Sequence, residues 1–307
     1  MLTIRILPLA LFAMLAARTA SADPGVLLLA HGGSAEWNAR VSELAAKVNG
    51  ARPTEVAFGM ATRANIQSAI DRLVARGVTE IVAVPLFVSS WSSIITSTEY
   101  LLGLRAEAPA ALAAYARMNH TPSATAGTSG TPSAGHDGHT AAANGTTPVK
   151  SSVAIRMTPA LNDHPIVADI LASRARSISR SPTEEALIIV AHGPNEEGDN
   201  RRWLADMSSL ANRIRAAERF ASIDTLTLRD DAPKQVRDRA TAELRELVLK
   251  RSQEGRRVLI VPLLISFGGI DRGLRERLQG LTYTMPDTGL VPDDRLATWI
   301  LAMVDGR

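Results

Sequence analysis

VLLLAHGG, residues 26–33, places a histidine and two glycines directly after a run of five apolar residues. A continuous apolar run of this length, ended by glycine, is typical of a strand that is buried on both faces of a parallel sheet. The stretch ALIIVAHG at residues 186–193 repeats the pattern. A segment with helical periodicity follows each copy, which predicts a strand–turn–helix unit at both places.

A second pair of matching stretches supports an internal duplication. IVAVPLFVSS at residues 81–90 and VLIVPLLISF at residues 258–267 each come later than the histidine-bearing strand of their own half. The alternation of strands and helices predicts an α/β protein with two tandem doubly wound, flavodoxin-like parallel-sheet domains. We place the N-terminal domain at residues 23–180 and the C-terminal domain at residues 181–307.

The first 22 residues have the features of a secretory signal. Arg5 supplies the positive charge, Ile6–Ala17 is a short apolar run, and Ala20-Ser21-Ala22 forms a small-residue cleavage site. The sequence therefore predicts an exported protein, cleaved after Ala22 and periplasmic in a bacterium, without membrane association after cleavage.

A segment of different composition, residues 109–150, interrupts the N-terminal domain. Most of it consists of Thr, Ser, Ala, Gly and Pro, which cannot bury enough apolar surface to order a chain, so we predict a flexible insertion. The insertion carries His120, His136 and His139. These three imidazoles form a candidate accessory metal site, and a plain disordered loop is the alternative interpretation.

Composition excludes several classes of function. The chain has no cysteine, so disulfides, thiolate nucleophiles and cysteine-ligated metals are impossible. Aromatic residues make up 4% of the chain and the formal net charge is +3, with Arg5 and Arg18 in the leader. Neither value favours a nucleic-acid partner. A phosphate-binding or nucleotide enzyme is a weaker interpretation because the chain has no glycine-rich phosphate fingerprint and no Walker lysine, and we expect no organic cofactor.

His31 and His192 are the candidate catalytic and metal-binding residues. Each follows a predicted first strand, and ligands bind at the carboxyl edge of an open α/β sheet. A neutral imidazole binds divalent transition metals and accepts protons near neutral pH. A histidine that only caps the sheet edge is the alternative for either one, and their equivalent positions favour a function.

Charged residues near the same predicted edge complete the candidate site. Glu99 could supply a carboxylate to a metal, and a solvated helix glutamate is the alternative that we slightly prefer. Arg63, Arg201 and Arg272 are candidate substrate-binding residues, because guanidinium groups pair well with carboxylates. Arg202 belongs to the same group, and ordinary surface charge is the alternative for each arginine.

Four motifs together resemble the sirohydrochlorin chelatase family, the CbiX/SirB group. They are AHGG, AEWN, VPLFVSS and TPALNDHPIVADIL, at residues 30–33, 35–38, 84–90 and 158–171. The resemblance implies two flavodoxin-like domains that face each other across a cleft. It also implies Co²⁺ or Fe²⁺ as the inserted metal and a carboxylate-rich tetrapyrrole as the partner.

The resemblance carries the family's first histidine to His31 and, through the repeat, to His192. The family's second histidine would fall at about Ser93 in the first half and near Ile270 in the second, and neither residue is a histidine. Two hypotheses follow from this departure. The chain is a chelatase that inserts Co²⁺ or Fe²⁺ into sirohydrochlorin or a related ring, or it is an exported, non-catalytic carrier of a metal or a tetrapyrrole. The oligomeric state is left open.

Overall fold

The computed structural model describes residues 24–118 and 145–306 and contains two parallel sheets. The strands are β1 (Gly25–Ala30), β2 (Thr54–Phe58), β3 (Glu80–Pro85), β4 (Ala154–Met157), β5 (Glu185–Ala191), β6 (Ser222–Thr227) and β7 (Arg257–Leu263). The helices are α1 (Ala35–Asn49), α2 (Arg63–Ala75), α3 (Ser93–Leu101), α4 (Ala110–Met118), α5 (Pro165–Ile178), α6 (Glu197–Ala217), α7 (Lys234–Gln253), α8 (Gly269–Arg277) and α9 (Arg295–Val304). A short 3₁₀ helix at Pro182–Glu184 precedes β5.

The sheet topology confirms the predicted fold class. The first sheet has the order β2-β1-β3-β4 and the second has the order β6-β5-β7, with every neighbouring pair parallel. β1 and β5, the strands that precede the two histidines, are therefore interior strands. Every residue of both strands is buried, as expected for strands that helices cover on both faces.

Three apolar cores give the molecule five layers. The inner core lies between the two sheets and contains side chains of α1, α5, α6 and α9. An outer core joins the first sheet to α2, α3 and α4, and the other joins the second sheet to α7 and α8. The two halves thus share one hydrophobic interior.

Two helices of the inner layer are exchanged between the halves. α5 comes from the N-terminal half but packs on β7 of the second sheet, while α9 ends the C-terminal half and packs on α1 and β3. Arg174 of α5 donates to the carbonyl oxygens of Gly289 (2.9 Å) and Pro292 (2.8 Å). Arg156 of β4 donates to the carbonyl oxygen of Val304 at 2.5 Å. The predicted domain boundary at residue 180 therefore divides the two sheets, but α5 and α9 each pack on the sheet of the other half.

The region expected to be a flexible insertion begins with ordered structure. α4 lies inside residues 109–150, and its Leu112 and Tyr115 are buried in the outer core of the first sheet. At the other end, the main chain of Lys150 exchanges two 2.8 Å hydrogen bonds with the Gln67 side chain of α2. The expectation of a flexible segment is thus wrong for these two ends, because apolar residues at helical spacing give α4 a face to bury.

Several predicted features lie outside the described residues. These are the leader at residues 1–22 and the candidate accessory site of His120, His136 and His139. Within residues 24–118 and 145–306, no helix combines the length and the apolar character that crossing a bilayer requires.

Candidate functional site

His31 and His192 occupy equivalent turns at the ends of β1 and β5. The glycine after each has the same left-handed backbone, with φ of +80° at Gly32 and +79° at Gly193. Glycine adopts this region without the steric cost that a Cβ atom brings. A Cβ on Gly193 would also lie 2.6 Å from the Cβ of Thr227. The repeated turn presents both imidazoles at the carboxyl edge of their sheets, as the sequence predicts.

Two aspartates hold the His192 ring. Nδ1 lies 3.2 Å from Asp230 Oδ2, and Nε2 lies 2.8 Å from Asp231 Oδ2. Arg277 forms an ion pair with the other oxygen of Asp230. Both aspartates lie in the loop shortly after the end of β6, and β6 is the strand that pairs with β5. Sequence reasoning missed this pair, although their place after a neighbouring strand at the same sheet edge was a usable signal.

The aspartates determine the protonation state of His192. Burial opposes the charged imidazolium, but the hydrogen bonds to Asp230 and Asp231 outweigh it and raise the pKa of His192 to about 9. The hydrogen bond from His192 in turn lowers the pKa of Asp231. At neutral pH His192 is therefore an imidazolium between two carboxylates, and a metal would have to displace its proton. Its role as a metal ligand stays a prediction.

His31 differs from its counterpart. It is exposed, and its Nδ1 lies 2.9 Å from the carbonyl oxygen of Gly32. Because a carbonyl oxygen only accepts hydrogen bonds, Nδ1 carries the proton, and in the neutral ring Nε2 presents a lone pair. A protonated His31 would also lower the pKa of Asp231, by less than His192 does. Asp231 therefore lies within electrostatic reach of both histidines, one from each half.

A cleft of about 1070 Å³ has walls from both halves of the molecule, and neither His31 nor His192 is among its described wall residues. Its wall combines the loop after β3, the start of α3, the end of β4 and the first turns of α6, so both halves contribute to it. Polar and charged groups in the wall include Ser93, Glu99, Arg156, Asp199 and Arg202. This volume is at the upper end of the range found for small-molecule sites, so the cleft has room for a large ligand.

A pair of hydroxyl groups lies where the resemblance places the second histidine. The Oγ atom of Ser93 is 2.6 Å from the phenol oxygen of Tyr115 on α4. Burial raises the pKa of Tyr115, and the charge of Asp231 raises it further. Tyr115 thus bonds a residue of the cleft wall and lies within electrostatic range of the carboxylate that His192 holds.

The predicted charged residues separate into two groups. Glu99 lines the cleft, as does Arg202, whose guanidinium carbon lies 4.6 Å from the ring centroid of Trp91. Arg63, Arg201 and Arg272 are not among the described residues of the cleft wall. A substrate role for these three arginines stays a prediction.

Two of those arginines make main-chain contacts instead. Arg63 donates to the carbonyl oxygens of Thr147 (2.9 Å) and Pro148 (3.3 Å), which fixes the returning end of the interrupted segment. Arg272 donates to the carbonyl oxygen of Gly268 at 3.1 Å. In the described parts of the chain, no group of three or more His, Asp or Glu side chains is arranged to hold a metal ion.

The CbiX family model matches residues 25–178, which extend from β1 to the end of α5. This chain belongs to the CbiX family. The matched region contains the whole first sheet, His31, the Ser93–Tyr115 pair and the exchanged helix α5. The sequence comparison with curated proteins gives no match.

Solved structures share the fold of this CbiX-family chain. SirB from Bacillus subtilis, solved with Fe³⁺, superposes with a TM-score of 0.58 at 14% identity, over 92% of this chain and 94% of SirB. DR2241 from Deinococcus radiodurans, a multi-domain protein with structural similarity to chelatases, gives a TM-score of 0.50 at 19% identity over 92% of this chain. The chain spans about half of DR2241, 54% of its length. At these identities the likeness shows a chelatase-like fold alone.

Proposed function

We propose that this protein is a metal chelatase that inserts Co²⁺ or Fe²⁺ into sirohydrochlorin or a related carboxylate-bearing tetrapyrrole. The observation that carries the proposal is the shared position of Asp231, which bonds His192 of one half and lies within electrostatic reach of His31 of the other. A cleft of about 1070 Å³ has walls from both halves, and its wall residue Ser93 hydrogen-bonds Tyr115, whose pKa the charge of Asp231 raises. Membership of the CbiX family and the structural likeness to SirB, which was solved with Fe³⁺, support the same function.

Metal insertion sets two chemical requirements. Two pyrrole nitrogens each lose a proton as the divalent ion bonds to them, so the site needs a ligand for the arriving ion and an acceptor for the protons. Nε2 of His31 has the free lone pair that suits a transition-metal substrate. Asp231 suits the acceptor role, because His192 bonds only one of its two oxygens and the side chain, which is 66% exposed, can pass a proton on to solvent.

His192 has a supporting role in this proposal. As an imidazolium it holds Asp230 and Asp231 in place and keeps them ionised. A proton taken by the second oxygen of Asp231 would pass to solvent, since that side chain is exposed. The ionised pair thereby remains available for the next proton.

Two observations favour a second candidate function. Hydroxyl groups occupy the position of the second histidine, and no group of three metal-binding side chains exists in the part of the chain that the structure describes. Both features suit an exported carrier that binds a metal or a tetrapyrrole without joining them. The leader sequence, which supports export to the periplasm, fits this candidate as well.

The experiment uses purified residues 23–307 with sirohydrochlorin and Co²⁺ or Fe²⁺ under anaerobic conditions. Absorbance spectra follow the metallated ring, and the spontaneous reaction without protein is the reference. We expect insertion above the spontaneous rate, lost in H31A and reduced in D231N, with R239Q as an exposed charge control on α7. Stoichiometric metal binding without any acceleration would instead support the carrier.

A further inference from the structure

Trp91 differs from the other three tryptophans of the chain. It lies in the loop between β3 and α3, lines the cleft and is 37% exposed. Trp37, Trp203 and Trp299 are 9%, 8% and 1% exposed. A large exposed aromatic side chain in the wall of a cleft is a common anchor for ligands, since it offers apolar area with few rotatable bonds.

Two side chains of α6 contact Trp91 from the opposite half. The Arg202 guanidinium lies over the indole ring, with its central carbon 4.6 Å from the ring centroid. The Trp203 indole donates to the main-chain oxygen of Trp91 at 2.8 Å. These contacts restrain the loop and one face of the ring before any ligand arrives, which lowers the entropic cost of binding on it.

The wall around this ring carries charges of both signs. The charged residues of the cleft wall are Arg105, Arg156, Arg202, Glu99 and Asp199. Arg156 is paired with Glu80 at 2.9 Å, so its charge is partly neutralised. Arg202 combines a guanidinium group in the wall with a stacked position on Trp91, and this geometry suits a ligand with both a flat conjugated ring and carboxylate arms.

We propose that Trp91 is the stacking platform for the tetrapyrrole ring and that Arg202 pairs with one of its carboxylate arms. This inference rests on the proposed function and extends it to residues that select the substrate. Arg202 covers one face of the indole, and the exposed part of the indole borders the cleft. The arrangement would favour a ring rich in carboxylates over a ring of the same size with few of them.

The test measures the dissociation constant of uroporphyrin, an octacarboxylate tetrapyrrole, by absorbance titration of its Soret band with the mature protein. W91L removes the aromatic ring, while W91F keeps a smaller aromatic ring in its place. R202Q removes the guanidinium, and R239Q is the matched charge control outside the cleft. Induced circular dichroism in the Soret band reports whether the bound porphyrin lies in an ordered, asymmetric environment.

We expect W91L and R202Q each to raise the dissociation constant about tenfold, in the range measured for stacking on aromatic side chains. W91F and R239Q should stay within about threefold of the wild type, and the induced dichroism should persist in W91F and disappear in W91L. Near-wild-type binding in W91L, or no binding by the wild type, would overturn the inference.

The two proposals fail differently. If the wild type binds uroporphyrin with the expected variant pattern but does not accelerate metal insertion, the platform stands and the chelatase proposal falls. If W91L inserts metal into sirohydrochlorin with an unchanged KM, the platform falls and the chelatase proposal stands.

Discussion

The indole N–H of Trp203 donates a 2.8 Å hydrogen bond to the main-chain oxygen of Trp91 and ties α6 to the loop after β3. The opposite contact is similar, since a Cβ on Gly268, after β7, would lie 3.7 Å from Cδ1 of Trp37 on α1. Each half therefore places a helix tryptophan against the loop after the third strand of the other. The contact between Trp203 and Trp91 joins two walls of the cleft, the loop after β3 and the first turns of α6.

Replacing Trp203 with phenylalanine should lower the free energy of unfolding by about 1–3 kcal/mol, because the part-buried oxygen of Trp91 loses its donor while an aromatic ring remains. Urea unfolding measures this change. A W203F variant as stable as the wild type would show that the hydrogen bond does not hold the halves together.

Replacing Trp299 with alanine should destabilise the protein by about 3–5 kcal/mol, as expected for a large aromatic side chain that is 1% exposed. Because α9 packs on the first sheet, hydrogen exchange should speed up in β3 as well as in the C-terminal half. The matched control is L249A, whose side chain is exposed on α7 and should change little. Unchanged hydrogen-exchange protection of β3 would contradict the packing of α9 on the first sheet.

The His192 imidazole should titrate with a pKa of about 9 in NMR spectra, and D231N should lower that pKa. Burial lowers the pKa of His164, and the charge of Arg213 lowers it further. This pKa should therefore lie below the usual histidine value in the same spectra. A group with a raised pKa in the folded state stabilises the fold below its unfolded value, near pH 6.5, and loses this contribution as pH rises through about 9. A pKa near 6.5 for His192 in the wild type would contradict its hydrogen bonds to Asp230 and Asp231.

Glu185 should make stability depend on acidic pH. Burial opposes its ionised form, but hydrogen bonds from Ser179, Arg180 and Arg257 outweigh burial and lower the pKa of Glu185. A lowered carboxyl pKa contributes stability above the unfolded value, near 4.5, that is lost as pH falls through the folded value.

The variant E185Q isolates this contribution. It should unfold about 2 kcal/mol more easily at pH 7, because charged hydrogen bonds are replaced by neutral ones, and the difference from the wild type should shrink below pH 4.5. Thermal unfolding at a series of pH values measures both effects. A stability difference that does not change with pH would show that the charge of Glu185 has no effect.

The fold was predictable because its strongest determinants are local. Continuous apolar runs such as VLLLA at residues 26–30 specify buried parallel strands, and their repetition in order specifies two sheets. The exchange of α5 and α9 was not predictable, since either helix has an apolar face that suits either sheet. α4 was missed because it adjoins a Thr/Ser/Gly-rich segment, although Leu112, Tyr115 and Ala116 have helical spacing and are buried.

The candidate site was predictable only in part. His31 and His192 were found because each ends a recognisable strand. Asp230 and Asp231 contact His192 from across 38 and 39 residues, a relationship that depends on the pairing of β5 with β6 rather than on any motif. The contacts of Trp91 with α6 of the other half are likewise not indicated by any local pattern.

The crossed positions of α5 and α9 make each half depend on the other in order to fold. A fragment that ended at residue 180 would leave the inner face of the first sheet bare where α9 packs, and its α5 would have no sheet to cover. Two copies of such a fragment would satisfy both needs by trading helices. The contacts that unite this single chain are thus the ones that two such fragments would have to make between chains.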